Sequence, residues 1–220
     1  VTVLPVTVLV VAKAPVPGLA KTRLAASIGA TAAADIAAAA LLDTLDAVAS
    51  APVERRVVAM TGDLERASRG DEISCRLADF TVLAQRGADF AERLANAHAD
   101  ASTGIPVLQI GMDTPQVSAD LLTDCGRILV DTDAVLGFAE DGGWWVLGVS
   151  RPSMADCLRT VPMSRPDTGA MTLAALRGDG VDVAMVDVLE DFDTLDDIDV
   201  VRRKCLPYSR FAQATKAVRA

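Results

Sequence analysis

Val6-Thr7-Val8-Leu9-Val10-Val11 runs straight into Ala12-Lys13-Ala14-Pro15-Val16-Pro17-Gly18-Leu19-Ala20-Lys21-Thr22-Arg23-Leu24. The first run is almost wholly β-branched or aliphatic and far too short for a membrane span, so it reads as a strand buried on both faces. The prolines and glycine that follow turn it into a loop carrying Lys13, Lys21 and Arg23. A buried strand that ends in a cationic loop puts positive charge at the edge of a sheet, where a phosphate group is held. As solvated loop charges, Lys21 and Arg23 are expected to contribute little to folding.

Working outward from that strand, strand and helix patterns alternate along the chain. Further strands are expected at residues 56–60, 81–84, 107–110, 134–138, 145–149 and 183–186. Helices are expected at 31–50, 64–69, 89–101, 118–129, 168–177 and 195–204, with a helical tail over 209–218. Thr31 and Ser118 are plausible N-caps for their helices. This βαβ rhythm predicts a three-layer α/β/α fold around a Rossmann-like sheet. Only Ala139-Glu140-Asp141-Gly142-Gly143-Trp144 separates the strands at 134–138 and 145–149. That is too short for a crossover helix, so the two are antiparallel or diverging neighbours and the sheet is mixed, though mostly parallel. No linker or low-complexity stretch divides residues 1–220, which read as one domain.

Composition narrows the function. The net charge of -9 argues against nucleic acid as a partner and for a small phosphorylated ligand at the basic loop. Hydrophobic residues make up 51% of the chain and aromatic ones only 4%, so the core must be aliphatic. No basic stretch precedes the first strand as in a signal peptide. Cys75, Cys125, Cys157 and Cys205 form no Cys-x-x-Cys pair and suit a reducing cytoplasm. His98 is the only histidine, which leaves little room for zinc sites or histidine-based triads. Ala20 stands where a Walker loop needs glycine, and there is no G-x-G-x-x-G or G-x-S-x-G, which removes P-loop NTPases, dinucleotide enzymes and serine hydrolases.

Three further segments carry chemistry. Gly111-Met112-Asp113-Thr114-Pro115 follows a strand directly, where open α/β sheets place their ligand crevice. A carboxylate there, facing a cationic loop, points to an oxygen-held divalent metal bridging protein and phosphate, although Asp before Thr-Pro also forms turns. In Glu190-Asp191-Phe192-Asp193-Thr194-Leu195-Asp196-Asp197, one acid can complete a magnesium site while Asp196 and Asp197 charge a helix N-terminus. In Glu140-Asp141-Gly142-Gly143-Trp144-Trp145, the glycines permit close backbone approach and a carboxylate can order a sugar hydroxyl, or the segment is a simple tight turn. The two indoles should point to opposite faces, one into the crevice and one into the core. Gln85-Arg86-Gly87-Ala88-Asp89-Phe90, with Arg93, is a similar loop after an earlier strand.

In their joint order these motifs resemble the DUF2064 family, a group classed with the glycosyltransferases and similar in turn to the 2-phospholactate guanylyltransferases and the molybdenum-cofactor nucleotidyltransferases. The resemblance spans about residues 6 to 200. It implies a GT-A, nucleotide-diphospho-sugar transferase fold that binds a nucleotide over the N-terminal half of the sheet. Carried onto this chain, it implies that Ala12, Lys13, Ala14, Lys21, Arg23 and Gln85 bind the nucleotide, with Lys21 and Arg23 on its phosphates. Asp113 would be the principal ligand of Mg2+ or Mn2+ and Asp193 the second, with Asp113, Lys21 and Asp141 as the catalytic groups. Gly142, Gly143 and Trp144 would meet the acceptor or sugar. Met112 stands where the family more often has Ser, and Trp144-Trp145 where it has Tyr-Tyr, a change on the acceptor side. The activity implied is glycosyl transfer from a nucleotide-sugar to a small-molecule acceptor. The alternatives are nucleotidyl transfer to a phosphorylated acceptor and nucleotide binding without turnover.

Overall fold

A computed structural model describes residues 2–218 of the chain. The opening strand, β1 (Leu4–Lys13), is buried from Val6 to Ala12. It pairs in parallel with β2 (Val53–Thr61) on one side and β4 (Val107–Ile110) on the other. With β3 (Thr81–Ala84), β5 (Ala134–Ala139), β6 (Trp144–Val149) and β7 (Val183–Leu189) it forms a 7-stranded sheet of order β3-β2-β1-β4-β6-β5-β7. Only β6 is antiparallel to its neighbours, β4 and β5, as the short connection before it requires. The sheet is therefore mixed and mostly parallel.

Helices cover both faces. On one face lie α2 (Ala30–Ser50), α3 (Gly70–Leu77) and α5 (Ala119–Asp131), packed through Leu41, Leu45, Ile73, Leu122 and Leu129 against Val8, Val10 and Leu108. On the other lie α4 (Phe90–Ala101), a 3-10 segment (Pro152–Thr160) and α6 (Thr168–Gly178), packed through Leu94, Leu158 and Leu176 against Leu9, Leu136 and Leu147. The far side of α2 is covered in turn by α1 (Thr22–Ile28), α7 (Leu195–Lys204) and α8 (Arg210–Ala214), where Phe192 and Phe211 meet with ring centroids 4.8 Å apart. This double cover explains why an alanine-rich helix is buried nearly all round.

Several local expectations change. The basic stretch is only partly a loop, because Thr22 to Ile28 form α1, a helix too short and too close to the prolines to stand out. Gly29, at φ 89, caps the end of α1 and the start of α2, so Thr31 lies inside the helix. The expected helix at 64–69 is one 3-10 turn, Leu64–Arg66, and the true helix follows at α3, where Gly70 reads in sequence as a stop. Ser118 does cap α5 through its side chain, and Ser209, expected inside the tail helix, caps α8. The tail is helical only over α8.

Candidate active site

The sheet order places a switch point between β1 and β4: the chain leaves β1 toward β2 and β3, then returns to β1's other edge. The crevice beyond the carboxyl ends of these two strands is the standard ligand position in open α/β sheets. Lys13 and Gly111 to Thr114 lie there. Because β6 runs backwards, its first residue, Trp144, reaches the same edge as the ends of β5 and β7, beside Asp141 from the β5–β6 turn and Asp191 and Asp193 from the segment after β7.

Lys21 is the hub. It precedes α1 in a left-handed backbone conformation, φ 47 and ψ 51. Its Nζ lies 3.1 Å from Asp113 Oδ1 and 2.7 Å from Asp193 Oδ1, donates to the Phe192 carbonyl, and sits 4.3 Å from the Phe192 ring centroid. Burial pulls the ammonium's pKa down, but Asp113 and Asp193 outweigh it and leave the pKa raised, so the charge is kept. The side chain is 7% exposed, so Lys21 is not the solvated loop charge that its surroundings in sequence suggest. Arg23 does match that expectation: its side chain is 73% exposed, with Nη1 3.3 Å from Asp193 Oδ2.

Of the remaining residues expected at the nucleotide, Lys13 lines the crevice, while Ala12, Ala14 and Gln85 brace the strand ends behind it. Lys13 Nζ donates to the Leu19 carbonyl at 2.8 Å, and its backbone N–H reaches Met112 Sδ at 3.3 Å, which ties the end of β1 to the segment after β4. Gln85 Nε2 donates to the carbonyls of Ala12 and Ala59, each at 2.8 Å, while Ala14 N–H donates to Thr61 at 2.8 Å. These contacts clasp the carboxyl ends of β1 and β2 and commit the Gln85 amide nitrogen to the backbone.

Two clefts open on either side of Asp113, which stands in both walls. One, of about 320 Å³, is lined by Lys13, Lys21, Arg23, Met112 and Asp193. The other, of about 240 Å³, is lined by Gln109, Thr114, Asp141, Trp144, Arg165 and Asp191. Trp144 is half-buried there and packs with the α4 layer, whereas Trp145 is 3% exposed in the opposite layer, with Nε1 donating to the Asp187 carbonyl at 2.8 Å. The indoles thus face opposite ways, as strand geometry requires. Gly143 N–H donates to Asp141 Oδ1 at 2.7 Å. Gly142, at φ 90, has a packing reason to be glycine: a Cβ there would stand 1.8 Å from the Pro166 carbonyl oxygen. That contact holds the segment before α6, including Arg165, as the outer wall.

Asp191 and Arg165 are residues that the sequence did not single out. Asp191 was one acid within an acidic run; the signal was its place just past the end of β7. Burial, and then the carboxylate of Asp141, push its carboxyl up to about 6, with Lys21 opposing and Asp193 adding. Arg165 lies between a 3-10 segment and a helix in a stretch without pattern. Its guanidinium pairs with both Asp167 oxygens, at 2.9 and 3.0 Å.

The donor set fits a divalent ion of the magnesium type. Asp113, Asp141, Asp191 and Asp193 border the crevice and supply hard carboxylate oxygens. Among the described residues no three or more His, Cys, Asp or Glu side chains form a closed metal group. One or two carboxylates, completed by water and phosphate, are the ligands such an ion takes.

Comparison with solved structures agrees on the class of fold. A "putative nucleotide-diphospho-sugar transferase" of Desulfovibrio desulfuricans G20 is 24% identical and superposes with a TM-score of 0.85 over 96% of this chain and 94% of its own. CMP:2-keto-3-deoxy-manno-octonic acid synthetase, complexed with CTP, is 10% identical with a TM-score of 0.58, over 90% of this chain and 97% of its own. Rv0371c of Mycobacterium tuberculosis H37Rv, in complex with manganese, is 18% identical with a TM-score of 0.55, over 90% and 97% respectively. At these identities the likeness is one of fold: that of the nucleotide-diphospho-sugar transferases. A search of curated proteins gives no match. Residues 44–165 match the family described as "Uncharacterized protein conserved in bacteria (DUF2064)", and the chain belongs to that family. No helix among the described residues is long and apolar enough to cross a membrane.

Proposed function

We propose that residues 1–220 act as one transferase unit on a nucleotide-sugar, passing the sugar to a small-molecule acceptor. The observation that carries this reading is Asp113, shared by a cation-lined cleft and a cleft bearing an aromatic face. Phosphates sit in the first, where Lys21 and Arg23 offer charge, and the sugar and acceptor in the second, against Gly143 and Trp144. The sugar's C1 bond to phosphate breaks, a bond from C1 to an acceptor oxygen forms, the nucleoside diphosphate leaves, and the acceptor's hydroxyl proton passes to a carboxylate, assigned here to Asp141. Charge grows on the departing phosphate, so the fixed ammonium of Lys21 stabilises the transition state more than the ground state. Mg2+ or Mn2+, held by Asp113 and Asp193, would act as a Lewis acid on the phosphate oxygens. Gln85, with Ala12, Lys13 and Ala14, supports the nucleotide through the backbone of β1.

The second reading, nucleotidyl transfer from an NTP to a phosphorylated acceptor with pyrophosphate leaving, draws on Arg165 in the second cleft. Asp113→Asn tests the common core. Metal-dependent nucleotide affinity, measured by calorimetry with Mn2+, is expected to fall at least about tenfold, or roughly 1.4 kcal/mol. Unchanged affinity sinks the assignment. The released product separates the readings: nucleoside diphosphate for glycosyl transfer, pyrophosphate for nucleotidyl transfer.

A further inference from the structure

Gln109 sits in the middle of β4, in register with Leu9 of β1 and Leu147 of β6, and so projects into the apolar layer on the α4 side. It is 2% exposed, yet its Oε1 has no hydrogen-bond partner among the described residues. Thr114, 3% exposed, has an Oγ1 in the same condition. Both line the second cleft. Buried polar atoms are almost always paired, so two unpaired ones in one cleft wall call for partners from outside the chain, water or a ligand group that replaces it. A carboxamide accepts through its oxygen and donates through its nitrogen, and a hydroxyl, which does both, can meet Gln109 as well as Thr114.

The other walls restrict the ligand further. Trp144, with Phe90 at 48% exposure, offers an apolar aromatic surface of the kind on which a ring packs. Asp113, Asp141 and Asp191 make the wall acidic, and the one guanidinium, Arg165, is already paired in two places with Asp167. Such a wall repels a second anion. A volume of about 240 Å³ is below the roughly 300–1,000 Å³ of drug-sized sites and suits a single small ring.

We infer that the second cleft binds an uncharged, polyhydroxylated ring, with Gln109 and Thr114 reading its hydroxyls and Trp144 its apolar face. The inference rests on the transferase reading only in taking that ring as a sugar of the donor or of the acceptor. It weighs against a phosphorylated acceptor.

The test uses the full chain with Mn2+, calorimetry and saturation-transfer NMR. The probes are glucose, galactose, mannose and glucose 6-phosphate, together with UDP-, GDP- and ADP-glucose and the three bare diphosphates. Gln109→Leu is expected to keep the wild-type melting temperature, since it removes an unpaired polar group, and to weaken a hexose-bearing probe by about tenfold while leaving bare diphosphates unchanged. Loss confined to an NDP-glucose assigns the ring to the donor; loss with a free hexose assigns it to the acceptor. If Gln109→Leu does not fold, Thr114→Val is read against the same expectation. The inference is overturned if neither variant weakens any hexose-bearing probe, if bare diphosphates lose affinity equally, or if glucose 6-phosphate binds more tightly than glucose. Failure of every diphosphate to bind the wild type removes the transferase reading instead, and the free-hexose arm still decides the ring.

Discussion

The two clefts flanking Asp113 are finished to different degrees. In the first, every cation has its partner: Lys21 on two carboxylates and a carbonyl, Arg23 on Asp193, Lys13 on Leu19. In the second, Gln109 Oε1 and Thr114 Oγ1 have none among the described residues, and behind that cleft, one turn beyond Leu94 on α4, the buried His98 likewise has both ring nitrogens unpaired. One cleft is a balanced electrostatic device before any ligand arrives. The other is incomplete in the manner of a site whose last hydrogen bonds come from what it binds. An ion pair can be satisfied inside the chain and still serve phosphate, whereas a hydroxyl reader that is satisfied internally reads nothing.

The largest effect that can break this contrast belongs to His98. Burial pushes its imidazole down to about 4 from 6.5. A base with a depressed folded pKa stays neutral in the native state while the unfolded chain takes up the proton, so stability is lost as pH falls through 6.5 toward 4. The loss should approach about 3 kcal/mol, as 2.5 pKa units at roughly 1.36 kcal/mol each. Urea midpoints of wild type and His98→Leu at pH 7 and 4.5 should show the steeper acid decline only in the wild type. Parallel declines would mean that the α4 side is satisfied after all.

Next comes Lys21→Met, which leaves Asp113 and Asp193 without their shared cation. Breaking a fully buried pair costs about 3–5 kcal/mol. Here the carboxylate side chains are 41% and 40% exposed and water can reach them, so about 2 kcal/mol is expected by denaturant titration. A stability equal to that of wild type would reduce Lys21 to a surface charge. Trp144→Ala should weaken nucleotide-sugar binding about fivefold, near 1 kcal/mol, and spare the bare nucleotide. Equal loss for both ligands would move the aromatic face to the base. Smallest is Arg23→Ala: its melting temperature should barely move, within about 0.5 kcal/mol, while triphosphate affinity falls. Early melting with normal binding would make this arginine structural.

Much of the frame was legible from residue pattern. Aliphatic runs at β1 and β4 stand out because strands buried on both faces need no polar alternation, and the short link before β6 dictates an antiparallel partner. Asp113 could be placed at the crevice because chain order alone puts the residue after such a strand there. What stayed hidden depends on distance in sequence. That Lys21 is an interior charge follows from Asp193, far along the chain, and from Phe192 beneath it. Gln109 looked like an ordinary strand residue, since nothing local says that a buried amide will find no partner. The glycine of Gly142 suggested ligand approach, yet its immediate cause is the Pro166 carbonyl, brought near by a segment without periodic pattern.

The position of β1 at the middle of the sheet also bears on the order of assembly. It precedes the other strands in the chain, and β2, its first partner, follows after α1 and α2. Its second edge stays open until β4, at Val107–Ile110, can dock. A nascent chain would therefore carry a half-finished sheet, with one apolar strand edge unprotected while about a hundred residues are synthesised, roughly 5–20 s at common elongation rates. That interval, rather than the finished structure, is where this chain is most exposed to mispairing and to capture by a chaperone.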